Sequence, residues 1–585
     1  MNRRTLFAEL MGKTAPKPSP ALFKESSIKS LAPYTGTWEY EQASHLLRRS
    51  MFGPSKTQIE EVISLGLDRT IEKLLDPSVI PTAGPVNPGR WRVNGELGDI
   101  NDPVIPVGAP WIWKEDNKWQ AGIFPFDGEN ATFIIQARFN AIRSWKTEQI
   151  LKEGISIYEK MTLFWHNHFV VGDNTNPFTV FLYIITLTEN ALGNFRELTK
   201  KITLDPSMLA YLNGKQNSRQ APNENYAREL FELFTIGRGP LAGPGDYTHY
   251  TEEDVAAAAR VLTGWRDAAS PILNLAEGTL EISTENLVDF RPFRHDDEPK
   301  QFSHRFNNTI IQDEGEEEYK TLIDMIFEQP ECARFVARKL YRWFVYYEIS
   351  AEVEAQIIEP LAQLIIDHDY EIKPAVETLL KSEHFYDALN LGPMIKNPYD
   401  FTASIMKPFN FPSNEPSDPL LKLLFYRNLT SLFSVQQMDY FGPPDVAGWK
   451  AYYQAPLFYR TWINSTTLNF KMQISFALSF GFNPNQPDND TKLDVLAIAA
   501  NIENATEPTV LIDTLAQQLY PQPLSEEQKD YLKSILLPGL PDFEWTVEYG
   551  EYLEDPSNQD LKESVELKLR QLMYGMLTMP EVYLS

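Results

Sequence analysis

A chain of 585 residues, 43% hydrophobic and 12% aromatic, can bury a large core and fill several domains or one extended helical array. Its formal charge of −27 argues against nucleic acid or an anionic membrane as partner, and it contains no run approaching the roughly 18 apolar residues of a spanning helix. The single cysteine, Cys332, excludes an intramolecular disulfide framework and a thiolate-rich zinc site.

In chain order, Asn2-Arg3-Arg4-Thr5-Leu6-Phe7 looks like a twin-arginine export motif, but Ala8-Glu9-Leu10-Met11-Gly12-Lys13 breaks the apolar core that a secretory signal requires. A cytoplasmic location is the expectation, with partner-assisted export to the periplasm as the alternative. Residues 1–33 form an N-terminal extension, residues 34–480 the main helical domain and residues 481–585 a C-terminal helical subdomain. Trp38–Phe52, Ser55–Leu65 and Asp68–Leu75 read as short helices, with Ser55 and Gln58 forming a capping box and Gly66 a stop. Residues 80–130 are an irregular insertion rich in Pro and Trp, in which one or two short β-hairpins are expected. Trp91, Trp111, Trp113 and Trp119, with Phe124 and Phe126, would suit a carbohydrate or partner surface if exposed, and would pin the insertion down if buried. The predicted fold class is mainly α, a large multi-helix array.

Helical periodicity returns from Ala131 and carries Trp165-His166-Asn167-His168 on a segment that is apolar nearly all round. The His-x-His spacing invites a metal, yet on a helix His166 and His168 project about 160° apart, so a single ion cannot take both. Asp205-Pro206 and Asn213-Gly214 bracket a short helix that delivers the chain to the most informative stretch, Pro222-Asn223-Glu224-Asn225-Tyr226-Ala227-Arg228-Glu229-Leu230-Phe231-Glu232-Leu233-Phe234. Asn223 is its N-cap and Gly237 its end. Glu224, Arg228 and Glu232, spaced i, i+4 and i+8, predict an ion-pair ladder on a solvated face, whereas Asn225 and Glu229 fall at the apolar border. Thr251 and Asp254 cap the next helix, which ends at Gly264-Trp265. His295-Asp296-Asp297 with Lys300 lie in a polar loop able to bind an ion, orient a substrate or solvate itself. Pro443-Pro444-Asp445 leads to Gly448-Trp449, for which the structural reading is a core plug behind a capped turn.

These blocks, together with His45-Leu46-Leu47-Arg48-Arg49, resemble the bacterial domain-of-unknown-function family numbered eighteen hundred (DUF 1800), and the resemblance runs from about Tyr34 to the C-terminus. It implies a mainly helical bacterial protein, often encoded beside a sulfatase-like or phosphatase-like protein, and supplies no reaction. No nucleophile elbow, P-loop or dinucleotide fingerprint is present. Two readings follow. One is a hydrolase-type pocket enzyme in which Glu229 is acid or base, His166, His168 or His295 with Asp296 supplies its proton partner, and Asn225 orients substrate. The other is a non-catalytic helical scaffold that binds the sulfatase-like protein. The residues name no cofactor and no metal.

Overall fold

The computed structural model describes residues 28–93, 96–99, 105–122, 131–172, 176–243, 246–267, 280–281, 287–411, 415–481 and 492–585. Arg3, Arg4, Phe124 and Phe126 lie outside the described residues. The chain is mainly α, and the described strands are short and antiparallel.

Local chemistry sets most helix boundaries. The Lys56–Leu65 helix opens on the expected box, in which the Gln58 amide donates to Ser55 Oγ at 3.3 Å and the Ser55 amide to Gln58 Oε1 at 2.9 Å. Gly66, at φ +78°, turns the chain into the Leu67–Leu74 helix. Asp205 accepts from the amides of Ser207 and Met208 and starts Pro206–Tyr211, and Thr251 with Asp254 boxes the start of Glu252–Val261.

The insertion holds two hairpins, Arg90–Val93 with Glu96–Asp99 and Ile112–Glu115 with Lys118–Ala121. Asp116 and Asn117, at φ +48° and +61°, form the two-residue turn whose twist matches paired strands. Trp91, Trp111 and Trp119 are buried, and Trp119 packs edge-on against Phe181 of the Pro177–Glu189 helix, so these aromatics pin the insertion rather than present a surface.

One contiguous apolar core runs from Leu46 and Leu47 through the central helices to Leu511, Trp545 and Leu572. The Tyr40–Ser50 helix organises it through two buried guanidinium groups. Arg48 donates to the carbonyls of Gln517 (3.2 Å), Gln518 (2.8 Å) and Leu519 (3.0 Å), at the end of the Pro508–Leu519 helix. Arg49 donates to the carbonyls of Phe344 (2.8 Å) and Val345, at the end of the Pro330–Phe344 helix. Carbonyls in the last helical turn lack intrahelical partners and carry the negative end of the macrodipole, which suits them to a planar cation with several donors. Arg49→Met is therefore expected to cost about 2–5 kcal/mol by orphaning buried carbonyls, and Arg49→Lys to recover less than half of that loss, as measured by urea denaturation.

Candidate functional site

The motif helix changes its winding partway along. Asn223 Oδ1 accepts from the Asn225 amide at 3.0 Å, an α-helix runs over Glu224–Glu229, and a π-helical segment follows over Leu230–Thr235. Gly237 closes it at φ +69°, where a Cβ would stand 3.0 Å from the Phe335 ring. The wider π turn moves Glu232 out of register with Arg228, which corrects the expected ladder. Arg228 pairs with Glu224 at 3.1 Å, and its other partner is Glu252 of the neighbouring helix, held by two hydrogen bonds of 2.8 and 2.7 Å. Glu232 instead accepts from the Tyr250 hydroxyl at 3.0 Å.

The structure places the six sequence-selected residues in separate surroundings. His166 and His168 lie on the Tyr158–His168 helix, both buried. His166 Nε2 faces the Tyr440 carbonyl, so it carries the proton, and Nδ1 lies 3.0 Å from the Tyr183 hydroxyl. His168 Nε2 donates to the Phe234 carbonyl at 2.9 Å, and its Nδ1 accepts from Lys339 Nζ at 2.9 Å. Lys339 also donates to the Leu233 carbonyl at 3.1 Å. The Trp165–His168 block thus does face the motif helix, but it serves the final carbonyls of the π segment rather than Glu229. Burial holds both imidazoles neutral, pulling His166 down to about 4 and His168 well below its ordinary value, and burial, with Arg342 nearby, takes Lys339 down to about 7.

Glu229 is half-buried, and among the described residues no hydrogen bond or ion pair reaches its carboxyl group. Burial raises its pKa, the charges of Glu232 and Asp445 add to the rise, Arg228 opposes it, and the result is about 7. Asp445 comes from the Pro443–Trp449 loop, where it caps a turn by accepting from the Ala447 amide at 2.8 Å and also accepts from the Tyr453 hydroxyl at 2.8 Å. Burial raises the Tyr211 phenol, and both Asp445 and Glu229 contribute. That loop is locked in place by Asn167, whose Oδ1 accepts from the Trp449 amide at 3.0 Å, and a Cβ on Gly448 would stand 2.4 Å from the same oxygen. Asn225 is exposed, one turn before Glu229. Asp445 is the neighbour that sequence spacing had offered only as a turn cap.

His295 and Asp296 belong to a third place. His295 Nδ1 donates to the Thr263 carbonyl at 2.9 Å, and Nε2 lies 2.7 Å from Glu318 Oε2. Glu318 is fully buried and pairs with the equally buried Lys300 at 2.6 Å. Asp296 is taken by Arg260 through hydrogen bonds of 2.7 and 2.9 Å. His295, Asp313 and Glu318 each offer one donor atom, all within 4.8 Å of one another, so this is the set that could take a metal among the described residues. Its geometry fits protons better. Two ligands on tetrahedral zinc would stand roughly 3.3 Å apart, whereas Nε2 and Oε2 are at hydrogen-bond distance. Both ring nitrogens face oxygen acceptors, a demand met by the doubly protonated ring. Burial works against that form, but the hydrogen bonds to Glu318 and Thr263 outweigh it and the pKa ends above its ordinary value. Glu318 gave no sequence signal, because an acidic residue in a first helical turn reads as an ordinary dipole partner.

Because the folded pKa of His295 is raised, its stabilising contribution is complete below the unfolded value of about 6.5 and is lost as pH climbs through the folded value. Urea denaturation should show stability falling over that rise, with a smaller fall in His295→Gln. Lys300→Met should cost about 3–5 kcal/mol by leaving Glu318 unpaired, and Lys300→Met combined with Glu318→Gln should recover most of it.

Comparison with known proteins agrees with the motif blocks. No curated protein and no solved structure matches the chain. The family model described as "Protein of unknown function (DUF1800)" matches residues 45–564, which include the Arg48-Arg49, Trp165–His168, Asn223–Glu229, His295 and Asp445–Trp449 blocks; the chain belongs to the DUF1800 family.

Proposed function

We propose that the Glu229 face is an acid–base site of hydrolase type in which Glu229 works with Asp445 rather than with a histidine. The observation that carries this reading is a half-buried carboxyl group with no hydrogen-bond or ion-pair partner among the described residues and a pKa of about 7. A group so poised can give or take a proton at neutral pH, the requirement for general acid–base catalysis. Asp445 stays tied to the Ala447 amide and Tyr453 hydroxyl, so the two carboxyl groups differ in environment and can divide the roles of proton donor and charge stabiliser. Asn225, exposed on the same side one turn earlier, supplies an amide to orient a substrate. His166 and His168 hold the scaffold, since their ring nitrogens are committed to buried partners.

A second reading, a scaffold for the sulfatase-like protein encoded nearby, draws on a different observation. His166, His168, Arg48 and Arg49 are spent on backbone carbonyls or other buried groups, as expected of residues that hold helices in place. Partner-assisted export belongs to this reading.

Turnover can be sought with chromogenic carboxylic, phosphate and sulfate esters and glycosides. Glu229→Gln should remain folded and lose about 10²–10⁴-fold in rate, and the wild-type rate should change most steeply near pH 7. Undiminished turnover in folded Glu229→Gln would remove the proposal. The same substitution should stabilise the protein slightly above pH 7, by about 0.5–1 kcal/mol after allowance for solvent screening, because a raised carboxyl pKa favours folding only while the group is protonated. The scaffold reading requires the sulfatase-like protein to co-purify from native cells at stoichiometric yield; its absence from such preparations counts against that reading.

A further inference from the structure

We propose that the small chamber beneath Arg48 and Arg49 binds one inorganic anion of chloride size. The chamber has a volume of about 20 Å³, room for about one water-sized species. Arg48, Arg49 and Lys160 line it, together with Trp343, Tyr459 and Trp462. All six are at least nine-tenths buried.

Two independent features select an anion. The first is charge. Two carboxylates reach the wall: Asp400, which pairs with Lys160 and also accepts from Asn397 Nδ2 at 2.8 Å, and the terminal carboxylate of Ser585, 3.4 Å from Arg49 Nη1. Arg48 finds backbone carbonyls and the Ser44 hydroxyl, and Arg49 finds backbone carbonyls and, at 3.4 Å, the hydroxyl and terminal carboxylate of Ser585. Burial lowers both guanidinium pKa values to about 10, which still leaves them charged at neutral pH. A wall with three cations and two carboxylates keeps one positive charge in excess, and buried charge is costly without a counter-charge.

The second feature is hydrogen bonding. Trp343 Nε1, Trp462 Nε1 and the Tyr459 hydroxyl are buried without a hydrogen-bond partner. Indole N–H groups only donate. A water accepting from them must aim its own hydrogens at acceptors, which on this wall are the engaged Asp400, the terminal Ser585 carboxylate 3.4 Å from Arg49 and the Tyr459 oxygen. A spherical anion has no hydrogens to place: it can accept from the two indoles and the hydroxyl and offset the excess positive charge. The volume selects a halide over phosphate or sulfate, and the buried position implies a bound ion that ties the Arg48–Arg49 helix to the Trp343 and Trp462 segments.

The test compares thermal unfolding in sodium chloride, bromide, sulfate and gluconate at constant ionic strength. Chloride and bromide should raise Tm saturably by at least about 2 °C over gluconate, and sulfate should not. Trp462→Phe and Tyr459→Phe keep the rings and remove one donor each, so each should reduce that halide-specific rise by half or more. Bromide-soaked wild-type crystals should give an anomalous peak between Arg49 and Trp462, an arm independent of whether any variant folds. Equal Tm values in all four salts, a response to sulfate alone, or bromide peaks confined to the surface would overturn the assignment.

Discussion

The architecture depends on two adjacent arginines that terminate helices other than their own. Arg48 and Arg49 leave the Tyr40–Ser50 helix side by side and enter the final turns of Pro508–Leu519 and Pro330–Phe344. A helix end buried without donors would strand several carbonyls in a medium that cannot solvate them. The guanidinium fork removes that penalty at two helices from one point, and its charge complements both macrodipoles. Elements 471 and 295 residues away in sequence are thereby held against the Tyr40–Ser50 helix, while His45 on the same helix bonds to the Phe385 carbonyl at 3.1 Å.

The same device recurs wherever the family blocks meet. His168 and Lys339 receive the end of the motif helix, Asn217 Nδ2 donates to the Ala259 carbonyl at 2.8 Å, and Asp254 accepts from the Ser303 amide and hydroxyl at 2.7 Å each. Asn167 does so for the loop before Trp449. Polar residues that look catalytic in a sequence are, at these places, partners for backbone groups. Other polar groups are left without such partners. Among the described residues the Glu229 carboxyl group, which feels the Asp445 charge, has no bonding partner, and Trp343, Trp462 and Tyr459 on the chamber wall have donors without acceptors. The two places differ in kind: one is a half-exposed carboxyl face, the other a small chamber lined by buried residues with an excess of cations.

The buried histidines show why motif residues were hard to sort by spacing. A His on an apolar helix needs partners whether it is structural or catalytic. The i, i+2 spacing correctly separates His166 from His168, but it carries no information about Tyr440, Phe234 or Lys339. The motif helix fails differently. Its amphipathic pattern and caps are legible, whereas the π winding after Glu229 arises where the segment packs among Phe335, Lys339 and His168, and it hands Arg228 to Glu252.

Sequence alone determined the mainly helical class, the family, the boxes at Ser55–Gln58 and Thr251–Asp254 and the hairpin content of the insertion, because capping, periodicity and turn chemistry act over a few residues. It also marked Glu229 as a border carboxylate. Only the tertiary structure decided that the Asp445 charge acts on Glu229, that Glu318 joins His295 and Lys300, and that Arg48 and Arg49 close distant helices over a donor-lined chamber. Those pairings join residues on different elements, from 18 to 471 positions apart, where burial and charge are set by packing and leave no local pattern to read.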